Sequence, residues 1–362
     1  MPGEYHDDQR RPATICVAQR AERSLQGPWS MSITEPNIDR LLAAFHHRKA
    51  DRVPNWDVLV DNRCLRHILG LPAEGPRIST WSVSPQDAIR AAQAVGQDAI
   101  LCSLTWNSVP DESILTDADA DKIVVPDPQA ARPKMQAYLD AVRGTKIGVC
   151  ARLTGPMSLV YLALGPVKIE SFMYQLYDNR PLVERLMDMY LDYHVRMIEA
   201  IQDLPYHFYY IGDDMSSTTG PLISPRDIEE LWAPRMGKLV KTALATGRPV
   251  VIHCCGMLAP ILPYLAKWGV NAVHPIQPVA NDIYAIHAEY GDRLTLVGNI
   301  DVASVLSYGT PAEVRQNVRE HIDRLAGSGG YIVCSSHSII DSVPPENYLA
   351  MVRATQEFGV GR

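Results

Sequence analysis

The chain has 362 residues, 46% of them apolar and 21% charged, and its 34 Lys and Arg against 41 Asp and Glu leave a formal charge of −7. This composition excludes disordered and collagen-like chains, and a chain of this length buries enough surface to hold a core without crosslinks. The negative balance offers no general attraction for nucleic acid or an anionic membrane.

Seven scattered cysteines, an odd number, follow no framework spacing and read as reduced thiols in a cytoplasmic protein. The longest apolar runs, such as Met157–Leu164, fall far short of the roughly 20 residues that cross a bilayer. No apolar signal core opens the chain.

Residues 1–30 show no sustained periodicity, and residues 1–35 read as a flexible N-terminal arm. From Ile38 the pattern turns helical, with Leu41, Leu42 and Phe45 on one face and Asn37 as its cap. Eight short apolar runs follow: Val53–Val60, Ala99–Leu104, Ile147–Leu153, Phe208–Ile211, Pro249–His253, Ala272–Pro275, Leu294–Val297 and Gly330–Cys334. Helical patterns lie between them at Pro85–Val95, Gln129–Val142, Leu182–Gln202, Pro225–Thr246, Leu258–Trp268, Ile283–Glu289, Pro311–Leu325 and Pro344–Gln356. Several start at Pro, which suits a first helical turn.

The alternation predicts parallel strands joined by helical crossovers, and eight such units make a (β/α)8 TIM barrel, here a single domain over residues 36–362. An open doubly wound sheet is the alternative. No Gly-rich dinucleotide fingerprint follows an early strand to support it.

In a barrel the chemistry sits where strands end. The fourth run ends in Gly212-Asp213-Asp214, the fifth in His253-Cys254-Cys255-Gly256, the sixth in His274-Pro275-Ile276-Gln277, the seventh in Gly298-Asn299-Ile300-Asp301 and the eighth in Cys334-Ser335-Ser336-His337. The opposite ends carry turn residues such as Thr246-Gly247-Arg248. Residues two apart in a strand share a face, so His253 and Cys255 point together while Cys254 points the other way and reads as core. An imidazole beside a thiolate suits Zn2+. His337, Cys334 and, more weakly, Asp214 are candidates for a third ligand. The competing reading packs the cysteines as small apolar groups.

Asp213 and Asp214 read either as turn formers or as an acid–base pair. His274 is a structural or supporting residue at its strand end. Asn299 and Asp301 are polar strand-end or capping groups, or ligand-binding ones. His46, His47, His67, His207, His287 and His321 read as surface residues.

These residues also carry a family resemblance. Ala50-Asp51-Arg52-Val53-Pro54, Leu153-Thr154-Gly155-Pro156, Pro221-Leu222-Ile223-Ser224-Pro225, Thr310-Pro311-Ala312-Glu313 and Val343-Pro344-Pro345-Glu346-Asn347 occur in the order and spacing of the uroporphyrinogen decarboxylase superfamily. The chain resembles that superfamily from about Ile38 to Phe358. The superfamily includes zinc-dependent methylcobalamin:coenzyme M methyltransferases, and its fold is a (β/α)8 barrel.

True decarboxylases carry an Arg-rich segment after the first strand and a catalytic Asp at the end of the second. Here those stretches are Asp57–Arg63 and Leu101–Trp106, without the Arg-rich pattern and without a carboxylate respectively. The methyltransferase branch carries His-x-Cys on the fifth strand and a Cys near the end of the eighth, which together bind zinc. His253 and Cys255 match the first part. The last Cys aligns with His337, and Cys334 lies three residues earlier. Related methionine synthases add a Glu about one strand later, where this chain has Gln277.

The resemblance therefore implies a methyltransferase moving a methyl group between a corrinoid and a thiol or other small nucleophile. Zinc would sit on His253, Cys255 and His337 or Cys334. Asp213, Asp214 and His274 would serve catalysis, and Gln277, Asn299 and Asp301 cofactor binding. Methylcobalamin would arrive on a separate corrinoid protein, the other partner being a small methyl donor or acceptor. Family members of this kind are monomers or homodimers. A decarboxylase or lyase acting on a small acid or tetrapyrrole, and a non-catalytic corrinoid or tetrapyrrole binder, are the alternatives.

Overall fold

Parallel strands and amphipathic helices alternate through the chain in a computed structural model that describes residues 33–106, 114, 116–164 and 169–362. Residues 1–32 of the expected arm, with Cys16, lie outside the described residues. The part of the arm that is described is tied down: Thr34 N–H donates to Gln356 Oε1 at 2.8 Å.

The strands are β1 (Ala99–Ser103), β2 (Gly148–Thr154), β3 (Phe208–Gly212), a small hairpin of β4 (Ser216–Ser217) and β5 (Gly220–Pro221), then β6 (Val250–His253), β7 (Ala272–His274), β8 (Thr295–Val297) and β9 (Tyr331–Ile332). Seven of them form one parallel sheet in the order β1-β2-β3-β6-β7-β8-β9. Seven of the eight apolar runs are thus strands of one curled sheet.

The first run, Val53–Val60, is the exception. It meets the β9 side through isolated parallel bridges, Asn55 with Val333 and Val60 with Ile339. Elsewhere side chains serve its backbone. Asp57 N–H donates to Gln97 Oε1 at 3.2 Å, Val60 N–H to Thr80 Oγ1 at 3.1 Å, and the Trp81 indole donates to Val58 O at 2.8 Å. A backbone satisfied in this way forms no ladder with β1. The neighbouring Asp51-Arg52 pair is structural. Arg40 holds Asp51 at 2.7 Å and Asp98 at 2.9 Å, and Arg52 lies 3.6 Å from Asp98.

Local signals place the helices. Pro85–Val95 starts on the Ser84 cap and stops at left-handed Gly96. Pro311–Leu325 opens on a Thr310/Glu313 capping box. The apolar run Met157–Leu164 lies largely within a short helix, Pro156–Ala163, that is buried almost all round and so shows no helical period in sequence. Among the described residues no helix is long and apolar enough to cross a membrane.

Strand parity sorts the core. Phe208, Tyr210, Val251, Ala272 and Ile332 point inside the curl, where Trp56 packs against Phe208 and the helix Ile38–Phe45 closes one end. Tyr209, Ile211, Ile252 and Val273 face outward to the helices. The register aligns Thr154 with Gly212, Gly212 with His253 and His253 with His274, one row across four strand ends. By the same parity His253 and His274 continue the inward face at the rim.

Candidate metal centre

That row borders a cavity of about 460 Å³ lined by Arg152, Tyr161, Asp214, His253, His274 and His337 among others. Two of the lining residues, Asp214 and His253, meet Cys255 beside it. His253 Nε2 lies 3.2 Å from Asp214 Oδ1 and 3.4 Å from Cys255 Sγ. Cys255 N–H donates to the same Asp214 oxygen at 2.9 Å. One donor atom from each of Asp214, His253 and Cys255 lies within 4.8 Å of the others.

The electrostatics of the cluster favour a cation. Burial would raise the Asp214 carboxyl, but His253 beside it and the hydrogen bonds from His253 and Cys255 hold it well below the usual carboxylate range. Burial, with the Asp214 charge added, pushes the Cys255 thiol far up. A thiol in this setting becomes a thiolate when a cation balances the charge. Imidazole nitrogen, sulfur and carboxylate oxygen together are a donor set that fits Zn2+. Cys254 lies outside the cluster, buried in the outer core.

The adjacent carboxylates differ completely. Asp213 is buried and accepts Ser158 N–H at 2.7 Å and the Trp232 indole N–H at 3.0 Å. It caps the helix Pro156–Ala163, whose own N-cap residue, Gly155, has no side chain for that purpose. A Cβ on Gly155 would meet the Asp213 carboxyl at 2.3 Å, so this position needs glycine. Burial pushes Asp213 up to about 6 against those hydrogen bonds.

The remaining predicted residues fall in different places. His337 lines the cavity without joining the three-donor cluster. Cys334 is buried behind His274, 3.4 Å from its Nε2. Gln277 accepts Gly256 N–H at 2.6 Å and so braces the loop after Cys255. Asn299 and Asp301 line a separate cavity of about 390 Å³. Asn299 Nδ2 donates to Ile276 O at 2.7 Å, and its Oδ1 lies 2.9 Å from His321 Nε2. His321 is therefore buried, not a surface residue; it continues the stripe of Val314, Val318, Ile322 and Leu325 on its helix.

Two site residues escape the strand-end reading. Arg152 lies inside an apolar strand, stacked over Trp81 with its guanidinium carbon 3.7 Å from the ring centre. Its Nη1 donates to Ser103 Oγ at 3.1 Å and Thr105 Oγ1 at 3.2 Å, while its Nε has no partner. Asp57 lies inside the first apolar run, buried against Ser335. A charged residue inside an otherwise apolar run is the signal that marks both.

The sequence model for uroporphyrinogen decarboxylase (URO-D) matches residues 83–358. The chain belongs to that family. Uroporphyrinogen decarboxylase of Trichlorobacter lovleyi is 24% identical over 345 residues, covering 87% of this chain and 97% of the relative. A methylcobamide:CoM methyltransferase of Methanosarcina mazei is 26% identical over 215 residues, covering 59% of this chain and 60% of the relative. Among solved structures, a methyltransferase from Methanosarcina mazei superposes with a TM-score of 0.67 at 21% identity, covering 90% of this chain and 99% of that one. URO-D family relatives of this chain thus include enzymes named for two different reactions on one fold.

Proposed function

We propose that this protein is a zinc-dependent methyltransferase that moves a methyl group between a corrinoid, carried on a partner protein, and a thiol or other small nucleophile. The observation that carries the reading is the meeting of Asp214, His253 and Cys255 beside a cavity that Asp214 and His253 line. His253 and Cys255 would hold the ion, with Asp214 as third donor and His337 as the further imidazole of the wall. Zinc, when bound, stabilises the anionic form of an incoming thiol near neutral pH.

The chain's own groups have separate tasks in this reading. Arg152 offers a largely buried guanidinium to an acidic group on the small substrate. Trp81, Tyr161 and Tyr210 wall the cavity and limit water. Gln277 and Asp214 fix the loop that carries Cys255. The same reading takes Val53–Val60 as the eighth stave of a (β/α)8 barrel and places the protein in the cytoplasm.

A uroporphyrinogen has many carboxylates and needs several cations. Among the described residues this cavity is lined by one guanidinium and no lysine. Decarboxylation of a smaller acid is the second reading, favoured by the end-to-end match to a decarboxylase.

Metal analysis of protein purified without added metal, followed by the visible spectrum of methylcobalamin incubated with a panel of thiols, tests the proposal. About one zinc per chain and thiol-dependent loss of the methylcobalamin spectrum are expected. Less than about 0.2 zinc per chain in folded protein removes it, and carbon dioxide release from a small acid without demethylation supports the second reading.

A further inference from the structure

A file of buried polar side chains runs behind His253, and the methyl chemistry above does not use it. His253 Nδ1 lies 2.7 Å from His274 Nδ1. His274 Nε2 lies 3.4 Å from Cys334 Sγ, and Cys334 Sγ lies 3.5 Å from Asp57 Oδ1. Ser335 anchors the far end, its backbone N–H and hydroxyl donating to Asp57 Oδ1 at 3.0 and 2.9 Å. His274, Cys334 and Asp57 are 2%, 0% and 1% exposed, so the file is almost closed to solvent.

A neutral imidazole has one N–H. A hydrogen bond between two Nδ1 atoms therefore requires the two rings to be opposite tautomers. With His253 Nε2–H donating to Asp214, His253 Nδ1 is bare and accepts from His274 Nδ1–H. His274 Nε2 is then bare as well and accepts from the Cys334 thiol.

Once His253 Nε2 gives its lone pair to a cation, the order reverses. The His253 proton sits on Nδ1 and donates to His274 Nδ1. The His274 proton sits on Nε2 and donates to Cys334 Sγ, and the Cys334 S–H turns to Asp57 Oδ1. Each ring carries one proton and the thiol keeps its own in both arrangements, so the file gains and loses none.

We propose that His274 is a positioning residue for His253, and that Cys334 and Asp57 accept the reversed hydrogen-bond order that frees His253 Nε2 for a divalent cation. The inference rests on the metal reading above. It makes Cys334 a hydrogen-bonding thiol and not a ligand. Partners of this kind, one shell behind a metal-binding imidazole, commonly account for roughly ten- to a hundredfold in metal affinity.

The test is nitrogen-15 NMR of the imidazoles in full-length protein, above the ordinary imidazole titration range, before and during zinc titration. The expected result is opposite tautomers in the metal-free protein and a swap of both rings on loading. Zinc affinity by chelator competition supplies the second readout. His274→Leu is expected to weaken zinc about ten- to a hundredfold. His274→Gln, whose amide oxygen can accept from His253 Nδ1–H, is expected to recover most of that loss. Cys334→Val is expected to give a smaller loss than His274→Leu.

Zinc binding with the His274 proton on the same nitrogen before and after, or wild-type affinity in a folded His274→Leu protein, overturns the inference and leaves the metal reading standing. A folded wild type that takes up no zinc overturns the metal reading. The metal-free spectrum still tests the pairing in that case, and like tautomers there overturn it.

Discussion

The ends of β6 and β8 look alike in sequence and behave differently in space. Each strand runs into a polar cluster, His253-Cys254-Cys255 after one and Asn299-Ile300-Asp301 after the other. At β6 the donor atoms of Asp214, His253 and Cys255 converge within 4.8 Å of one another, and the His253 and Asp214 side chains are 13% and 38% exposed. At the end of β8 the polar atoms bond to the protein itself: Asn299 to Ile276 O and His321, and Asp301 to the turn that follows. Polar residues at a strand end thus mark a metal site where their donor atoms converge on one point, not where each is tied to a different part of the backbone or a helix.

Removing one residue from each end gives the largest expected contrast. Cys255→Ala should abolish stoichiometric zinc and thiol-dependent demethylation while leaving the melting temperature close to that of metal-free wild type. Asn299→Ala should leave zinc uptake intact and lower stability by about 1–3 kcal/mol, because His321 and Ile276 O lose a buried partner. Metal analysis and thermal melts read both. Zinc retention by Cys255→Ala, or its loss from Asn299→Ala, would break the distinction.

The contrast also divides two adjacent carboxylates. Asp213 is raised to about 6 by burial, so between its unfolded value of about 4 and that value the native state binds more protons than the unfolded state. Stability from this group is therefore present at low pH and lost as pH rises through that window, by at most about 3 kcal/mol. Stability curves of metal-free wild type and Asp213→Asn should diverge across the window and run parallel above it. Curves parallel throughout would show that Asp213 is ionised like an ordinary carboxylate.

Arg152 sharpens the site side of the comparison, because its buried Nε has no hydrogen-bond partner while its side chain lines the same cavity. Arg152→Met keeps the bulk over Trp81 and removes the charge. The KM for a carboxylate-bearing thiol should rise roughly ten- to a hundredfold, matching about 1.5–3 kcal/mol for a charged hydrogen bond. The KM for 2-mercaptoethanol should stay within about twofold, since it has no charge to lose. Equal changes for both thiols would remove Arg152 from substrate recognition.

Much of this arrangement was legible before the fold was known. Parity alone put His253 and Cys255 together and sent Cys254 outward, and the alternation of runs marked seven strands that pair in parallel. The first run, Val53–Val60, pairs only through isolated bridges, because apolar content says nothing about which side chains will take up its backbone hydrogen bonds; here Gln97, Thr80 and Trp81 do so. Asp213 and Asp214 were inseparable because neighbours in sequence give no clue that Ser158 and Trp232 wait for only one of them. Arg152 and Asp57 escape a reading of strand ends, because the curl brings mid-run residues to the same cavity wall or its backing.

The smallest effect belongs to Asp301, and it bears on whether the β8 end binds anything. Its Oδ1 accepts Ala303 N–H at 3.0 Å and lies 3.4 Å from the Ser336 hydroxyl. It therefore caps the helical turn Val302–Leu306. Asp301→Ala should cost about 1 kcal/mol, as cap removals do, and Asp301→Asn should recover most of it because the amide oxygen can still accept. Neither change should alter zinc content or the affinity for cobalamin measured by its absorption spectrum. A loss of cobalamin affinity in Asp301→Asn with stability unchanged would make the β8 end a second binding surface, and convergence of donor atoms would then no longer separate the two strand ends.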